Sequence, residues 1–185
     1  MKLTKQEGPG RAIHDWWREI ADVPDPASGK RRSDRASRAI LRRAHDITAV
    51  TLCAPYQRLH RMVRQSSDTT WDRPHRRDGL AAVAGLLAHV SNDKEGERLA
   101  ESMSRSVDEG QPPALSELRF QRLLESDDLD TLFRGLRRAL PLMKGSVDVI
   151  TLASDVIGWS DAWRRDEVKK RWAYSYRWPT GAHGK

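Results

Sequence analysis

The chain has 185 residues and carries 33 Lys and Arg against 26 Asp and Glu, a net charge of +7. Hydrophobic residues make up 38% and charged residues 32%, which is polar for a globular protein but too rich in Leu, Ile and Val for disorder. No run approaches the ~20 apolar residues that cross a bilayer, and the opening MKLTKQEGPG lacks an apolar signal core, so a cytoplasmic protein without a membrane partner is expected. The single Cys53 cannot form an internal disulfide, which agrees with that compartment.

Taken in chain order, the periodicity is helical almost throughout. Gly8-Pro9-Gly10 reads as a frayed terminus, and Ile13, Trp16, Trp17 and Ile20 are spaced for one face of a first helix that Pro24 and Pro26 end. Ser33 or Asp34 caps a second helix from about Arg35 to Ala44. Residues 47–53 (ITAVTLC) are β-branched and strand-like but have no strand to pair with, so they are expected as a helix or a buried extended link. Pro55 fits the first turn of a helix carrying Tyr56, Leu59, Met62 and Val63 on one side. Residues 66–77 read as a loop, and Leu80, Val83, Ala84, Leu86, Leu87 and Val90 as a strongly apolar helix.

Residues 91–114 are polar, with Gly96, Gly110, Pro112 and Pro113, and read as a linker that holds at most a short helix at Leu99 to Met103. Beyond it, Ser116 caps a helix through Glu125, and Asp127 or Asp128 caps one ending near Leu142. Asp148 opens a helix through Trp159, and Ser160 or Asp161 starts the last, which runs to about Tyr176. The fold class is therefore all-α: an N-terminal helical bundle over residues 10–91, a linker at 92–114, a C-terminal bundle over 115–177 and a mobile tail at 178–185.

The charge is unevenly placed. Residues 30–77 hold 13 basic and 4 acidic side chains, whereas the rest of the chain holds 20 and 22. One segment carries the whole excess, as expected of a polyanion binder. On a helix of roughly 100° per residue, Arg35, Arg38 and Arg42 project together while Ala36, Ile40 and Ala44 lie nearly opposite. The apolar stripe then faces the core and the guanidinium groups face solvent, extended by Lys30, Arg31 and Arg32 toward the helix N-terminus. Arg134, Arg137 and Arg138 repeat the design opposite Leu129, Leu132, Leu136 and Leu140, and Arg119 and Arg122 add a smaller edge. Phosphate binding and pairing with nearby carboxylates are the two readings of such faces. The first is favoured at Arg35, Arg38 and Arg42, where almost no acid lies within a helical turn. Of seven tryptophans, most fit helix cores; Trp71, in a basic loop, is the candidate to stack on a base.

Catalytic chemistry finds no support in the sequence. The six histidines form no HExxH or Cys/His ligand pattern, His14-Asp15 and His45-Asp46 are two-residue coincidences with a metal-phosphohydrolase step, and Cys53 sits among apolar neighbours. No enzyme activity, metal or cofactor is expected.

The ordered motifs nevertheless resemble a known family. Trp17, Asp34-Arg35-Ala36 through Ala39-Ile40-Leu41-Arg42-Arg43, and the Leu80–Val90 helix are similar to the CasB small subunit of the type I-E CRISPR Cascade complex. The run from Ser116 to Leu124 resembles its S-x-x-R-F-x-x-L-L signature. Leu136-Arg137-Arg138, Leu152-x-x-Asp155-x-x-x-Trp159 and Arg171-Trp172-Ala173-x-x-Tyr176 then follow in order. The resemblance implies an all-helical, non-catalytic subunit, present as two copies beside the backbone and large subunits of an RNA-guided antiviral complex. It would grip guide RNA, target DNA and the displaced strand, stabilising the opened duplex. The contacts it implies are Arg35, Arg38, Arg42 and Arg43 in the first bundle and Arg119, Arg122, Arg137 and Arg138 in the second. The alternative from another class is a free-standing helical DNA-binding regulator, against which stands the lack of helix-turn-helix spacing before Arg35.

Overall fold

The computed structural model describes residues 3–24, 29, 34–66, 69–106 and 111–178. The basic track at Lys30, Arg31 and Arg32 and the tail beyond Trp178 lie outside the described residues. The all-α expectation holds. The helices are α1 (Gly8–Ala21), α2 (Arg35–Arg43), α3 (Ile47–Thr51), α4 (Ala54–Gln65), α5 (Pro74–Leu87), α6 (Leu99–Ser104), α7 (Glu117–Leu124), α8 (Leu129–Leu142), α9 (Val149–Ser160) and α10 (Arg165–Ser175). A short 3₁₀ turn covers Thr69–Asp72, and β1 (Asn92–Asp93) pairs in parallel with β2 (Ser146–Val147), Asn92 opposite Ser146.

Local chemistry sets most of the helix starts. The side chains of Asp34, Asp46, Asp128 and Asp148 each accept from a main-chain N–H three residues on, at 3.0, 2.7, 2.7 and 2.8 Å. Such caps contribute about 1 kcal/mol each. Pro9, Pro55 and Pro74 occupy first turns, where no N–H is needed. Asp22 turns the chain out of α1 in the left-handed conformation, before either proline can.

Several expectations need correction. Gly8-Pro9-Gly10 is the first turn of α1, not a frayed end: Gly10 is buried because residues 3–6 fold back over it, and a Cβ there would lie 2.0 Å from the Thr4 carbonyl oxygen. Nor are residues 66–77 a loop throughout. α5 already starts at Pro74, and Trp71 beneath the 3₁₀ turn is only 1% exposed, with the Arg76 guanidinium over its ring. A base cannot stack on it. The polar stretch that follows contains the expected short helix, as α6, and its Leu99, Ala100 and Met103 are buried.

α5 organises the core. From Gly79 to Leu87 every residue is buried, the expected state of a helix that is apolar on all sides. It packs against α9, α8, α3 and α4, and small residues permit the approach. A Cβ on Gly79 would meet Ser160 and Ile157, and one on Gly85 would meet Phe133 and Val50. One continuous cluster of buried side chains runs from Ile13 and Trp16 to Trp172 and Tyr176. Residues 47–53, left open between helix and extended link, supply α3 and its turn, with Ile47 and Val50 buried beside α5.

Candidate nucleic-acid interface

α2 does not face the protein as its pattern predicts. Ala36 is exposed and Ile40 is 44% exposed, whereas Leu41 is fully buried. Of the three residues assigned to the core face, Ala44 alone is buried. The cause is tertiary. The carbonyls at the C-terminal end of α5 have no helical N–H to accept from, and the Arg38–Leu41–Arg42 side of α2 turns toward them. Arg38 donates from Nε to the Ala88 carbonyl at 2.9 Å and from Nη2 to the Val90 carbonyl and Ser91 Oγ, both at 3.1 Å. Arg42 donates from Nε to the same Ala88 carbonyl at 2.9 Å. From the other half of the chain, Arg137 on α8 reaches across to the carbonyls of Arg42 and Ala44 at the end of α2.

Three guanidinium groups thus converge on His89. Burial, then the charges of Arg137, Arg42 and Arg38, hold its imidazole down to about 4, so it is neutral at pH 7. Its Nε2 is buried and has no hydrogen-bond partner among the described residues. Burial and the neighbouring Arg42 also lower the pKa of Arg38.

The remaining assigned arginines lie on the surface. Arg35 is exposed and pairs with Asp22 at 3.3 Å, across a depression of about 430 Å³ bordered by Ile20, Arg38 and Arg42. Arg43, Arg119, Arg122 and Arg138 are exposed, as is Arg134, which donates to Thr131 Oγ1 at 3.4 Å. Among the described residues, no carboxylate stands within ion-pair distance of Arg42, Arg43, Arg119, Arg122, Arg134, Arg137 or Arg138. Other arginines do have acidic partners: Arg58 with Asp34 and Glu19, Arg64 with Asp72, Arg105 with Glu97 and Arg171 with Asp155. The sequence could not separate these two groups, because most of those partners are distant along the chain. Held by neutral carbonyls rather than by carboxylates, Arg38, Arg42 and Arg137 have a fixed orientation, which suits a guanidinium to pair with a phosphate oxygen.

The aromatic side chains sort differently from expectation. Trp16, Trp17, Trp71, Trp159 and Trp172 are core residues, but Trp163 is 93% exposed in the turn before α10 and Tyr174 is 89% exposed on that helix. The signal for Trp163 was its place between Asp161, whose carboxylate accepts from its N–H, and the Arg164-Arg165 pair. Of the His-Asp pairs, Asp46 caps α3 and lies 3.0 Å from His45, whereas His14 turns away from Asp15 to Asp93.

With this geometry in place, comparison with known proteins gives a consistent picture. The family described as CRISPR-associated protein Cse2 matches residues 37–176. The chain belongs to the Cse2 family. A curated Cse2 protein from Thermus thermophilus is 34% identical over 105 residues, which cover 56% of this chain and 59% of that relative's length. The crystal structure of CasB from Thermus thermophilus superposes with a TM-score of 0.63 at 25% identity, over 92% of this chain and 98% of the other. A second Cse2-family crystal structure from the same species gives 0.64 at the same identity and coverage. A chain of E. coli Cascade bound to a PAM-containing double-stranded DNA target shares the fold, with a TM-score of 0.60 at 16% identity over 88% and 95% of the two chains. The family match covers α2, α5 and α8, the three elements that bring Arg38, Arg42 and Arg137 together.

Proposed function

We propose that this Cse2-family chain is a non-catalytic small subunit of an RNA-guided CRISPR Cascade complex. In this reading it sits beside the backbone and large subunits with a second copy of itself, and grips guide RNA, target DNA and the displaced strand by their phosphates. The observation that carries it is a set of arginines with no carboxylate partner among the described residues: Arg38, Arg42 and Arg137 held on main-chain carbonyls at the junction of α2, α5 and α8, and Arg43, Arg119, Arg122 and Arg138 exposed on the surface. Replacing a DNA duplex by a guide–target duplex is nearly balanced in free energy, so sequence-independent contacts to phosphates suffice to tip it. Arginine rows supply such contacts, with a steep dependence on salt.

The test measures binding of the full chain to a single-stranded oligonucleotide as a function of salt. Arg43→Ala with Arg138→Ala removes two exposed cations that hold nothing in the fold. The slope of log K against log salt is expected to fall by about 0.7 per lost phosphate contact, roughly 1.4 in total. A folded double variant with unchanged affinity and slope overturns the reading for these residues.

A further inference from the structure

His89 stands beside three arginines, none of which has a carboxylate within ion-pair distance among the described residues. Arg38 grips the carbonyls on either side of it, those of Ala88 and Val90, and Arg42 shares the first. Arg137 approaches from α8 through the carbonyls of Arg42 and Ala44. The charged groups that act on the imidazole are Arg137, Arg42 and Arg38, with no carboxylate among them. Asp22, an acid whose charge acts on Arg38, pairs with Arg35.

The carbonyl bonds account for one N–H of Arg42 and two of Arg137, whereas each guanidinium carries five donors. Donors therefore remain for an incoming oxyanion. The buried Nε2 of His89, the residue between the Ala88 and Val90 carbonyls that Arg38 holds, is another polar atom without a hydrogen-bond partner among the described residues. A neutral imidazole offers only one N–H, but a protonated one offers two. The three guanidinium groups oppose that second proton until a negative charge enters among them.

We propose that Arg42, Arg137 and His89 form a phosphodiester subsite in which His89 takes up a proton from solvent as the anion enters, so that the grip on a nucleic-acid strand tightens in mild acid. The ligand is a backbone phosphate of a nucleic-acid strand, which stays singly charged throughout this range. No bond is made or broken; one proton moves from water to Nε2 or Nδ1, and the resulting N–H donates to a phosphate oxygen. The inference rests on the function proposed above and adds a proton-linked site to it.

The experiment is fluorescence anisotropy of the full chain with a labelled 20-nucleotide single strand at fixed ionic strength, from pH 8 to pH 5.5. If the bound phosphate restores the imidazole to about 6.5, binding tightens about tenfold between those limits. Whatever its affinity at pH 8, His89→Gln should lack that tenfold increment between pH 8 and pH 5.5, while the other histidines contribute equally to both proteins. The imidazole resonance of His89, titrated by NMR with and without the strand, should shift its midpoint upward on binding. Salt-dependent binding whose pH profile is the same in parent and variant overturns the subsite and leaves the proposed function standing. No salt-dependent binding at any pH overturns both. If His89→Gln fails to fold, the NMR midpoint of the parent protein decides, and an unmoved midpoint overturns the subsite.

Discussion

At Asp93 three donors meet one carboxylate: Lys5 Nζ at 2.5 Å, His14 Nε2 at 3.1 Å and the Val149 main-chain N–H at 3.0 Å. Burial works against the charge, but the bonds from His14, Lys5 and Val149 outweigh it and hold Asp93 down to about 2. A carboxylate that binds its proton less readily when folded stabilises the protein above about pH 4 and loses that contribution as pH falls toward 2, about 2 kcal/mol in all. His89 acts in an earlier window. Its folded form resists a proton that the unfolded chain accepts below about 6.5, so stability declines as pH falls from 6.5 to about 4. Urea unfolding across pH should therefore show two successive losses. Asp93→Asn is expected to flatten the lower one and His89→Gln the upper. An unchanged lower window in folded Asp93→Asn would show that the N-terminal segment is not fastened by this charge.

Among the elements, Arg137 hydrogen-bonds α8 to the end of α2. Arg137 satisfies the carbonyls of Arg42 and Ala44, which the end of α2 leaves without helical partners. Arg137→Ala is expected to destabilise by about 1–3 kcal/mol through those lost bonds and to lower the salt slope of oligonucleotide binding by roughly 0.7. Arg137→Lys keeps the charge but not the fork, so the slope should recover more than the stability. Equal recovery of both would mean that the fork geometry is irrelevant here. The same bonds explain what the sequence could and could not show. The caps at Asp34, Asp128 and Asp148 were legible because each acts three residues down its own chain, and α5 because its composition leaves no side for water. The facing of α2 was not, because its nine residues offer one large apolar side chain that is buried, Leu41, and the acceptors that turn it lie beyond α5. The arginine identities were legible. Their division into bracing groups and surface groups depended on partners far along the chain. Trp71 and Trp163 exchanged their expected places for a related reason: a polar neighbourhood in sequence was not the neighbourhood in space.

For the whole molecule, α5 is the shared wall. Elements from both ends of the sequence pack against it, α3 and α4 on one hand and α8 and α9 on the other, within one hydrophobic cluster. Two independent bundles would unfold separately, whereas one shared buried cluster predicts a single transition. Gly85 sits where three elements meet: a Cβ there would stand 2.8 Å from the Phe133 ring of α8 and 3.0 Å from Val50 of α3. Gly85→Val forces both neighbours to move, and overpacking of this kind costs about 1–3 kcal/mol. Tryptophan fluorescence and far-UV circular dichroism should give coincident urea transitions in the parent, and in Gly85→Val both should shift together to lower urea. Trp16, Trp17 and Trp71 report on the N-terminal half and Trp159, Trp163, Trp172 and Trp178 on the C-terminal half, so replacing all of one set by Phe isolates the other half's signal. Two resolved transitions, with Gly85→Val moving one of them alone, would establish two independently stable bundles. A single transition would mean that the arginines of α2 and of α8 are held in fixed register by the same cooperative core, as a junction built from Arg38, Arg42 and Arg137 requires.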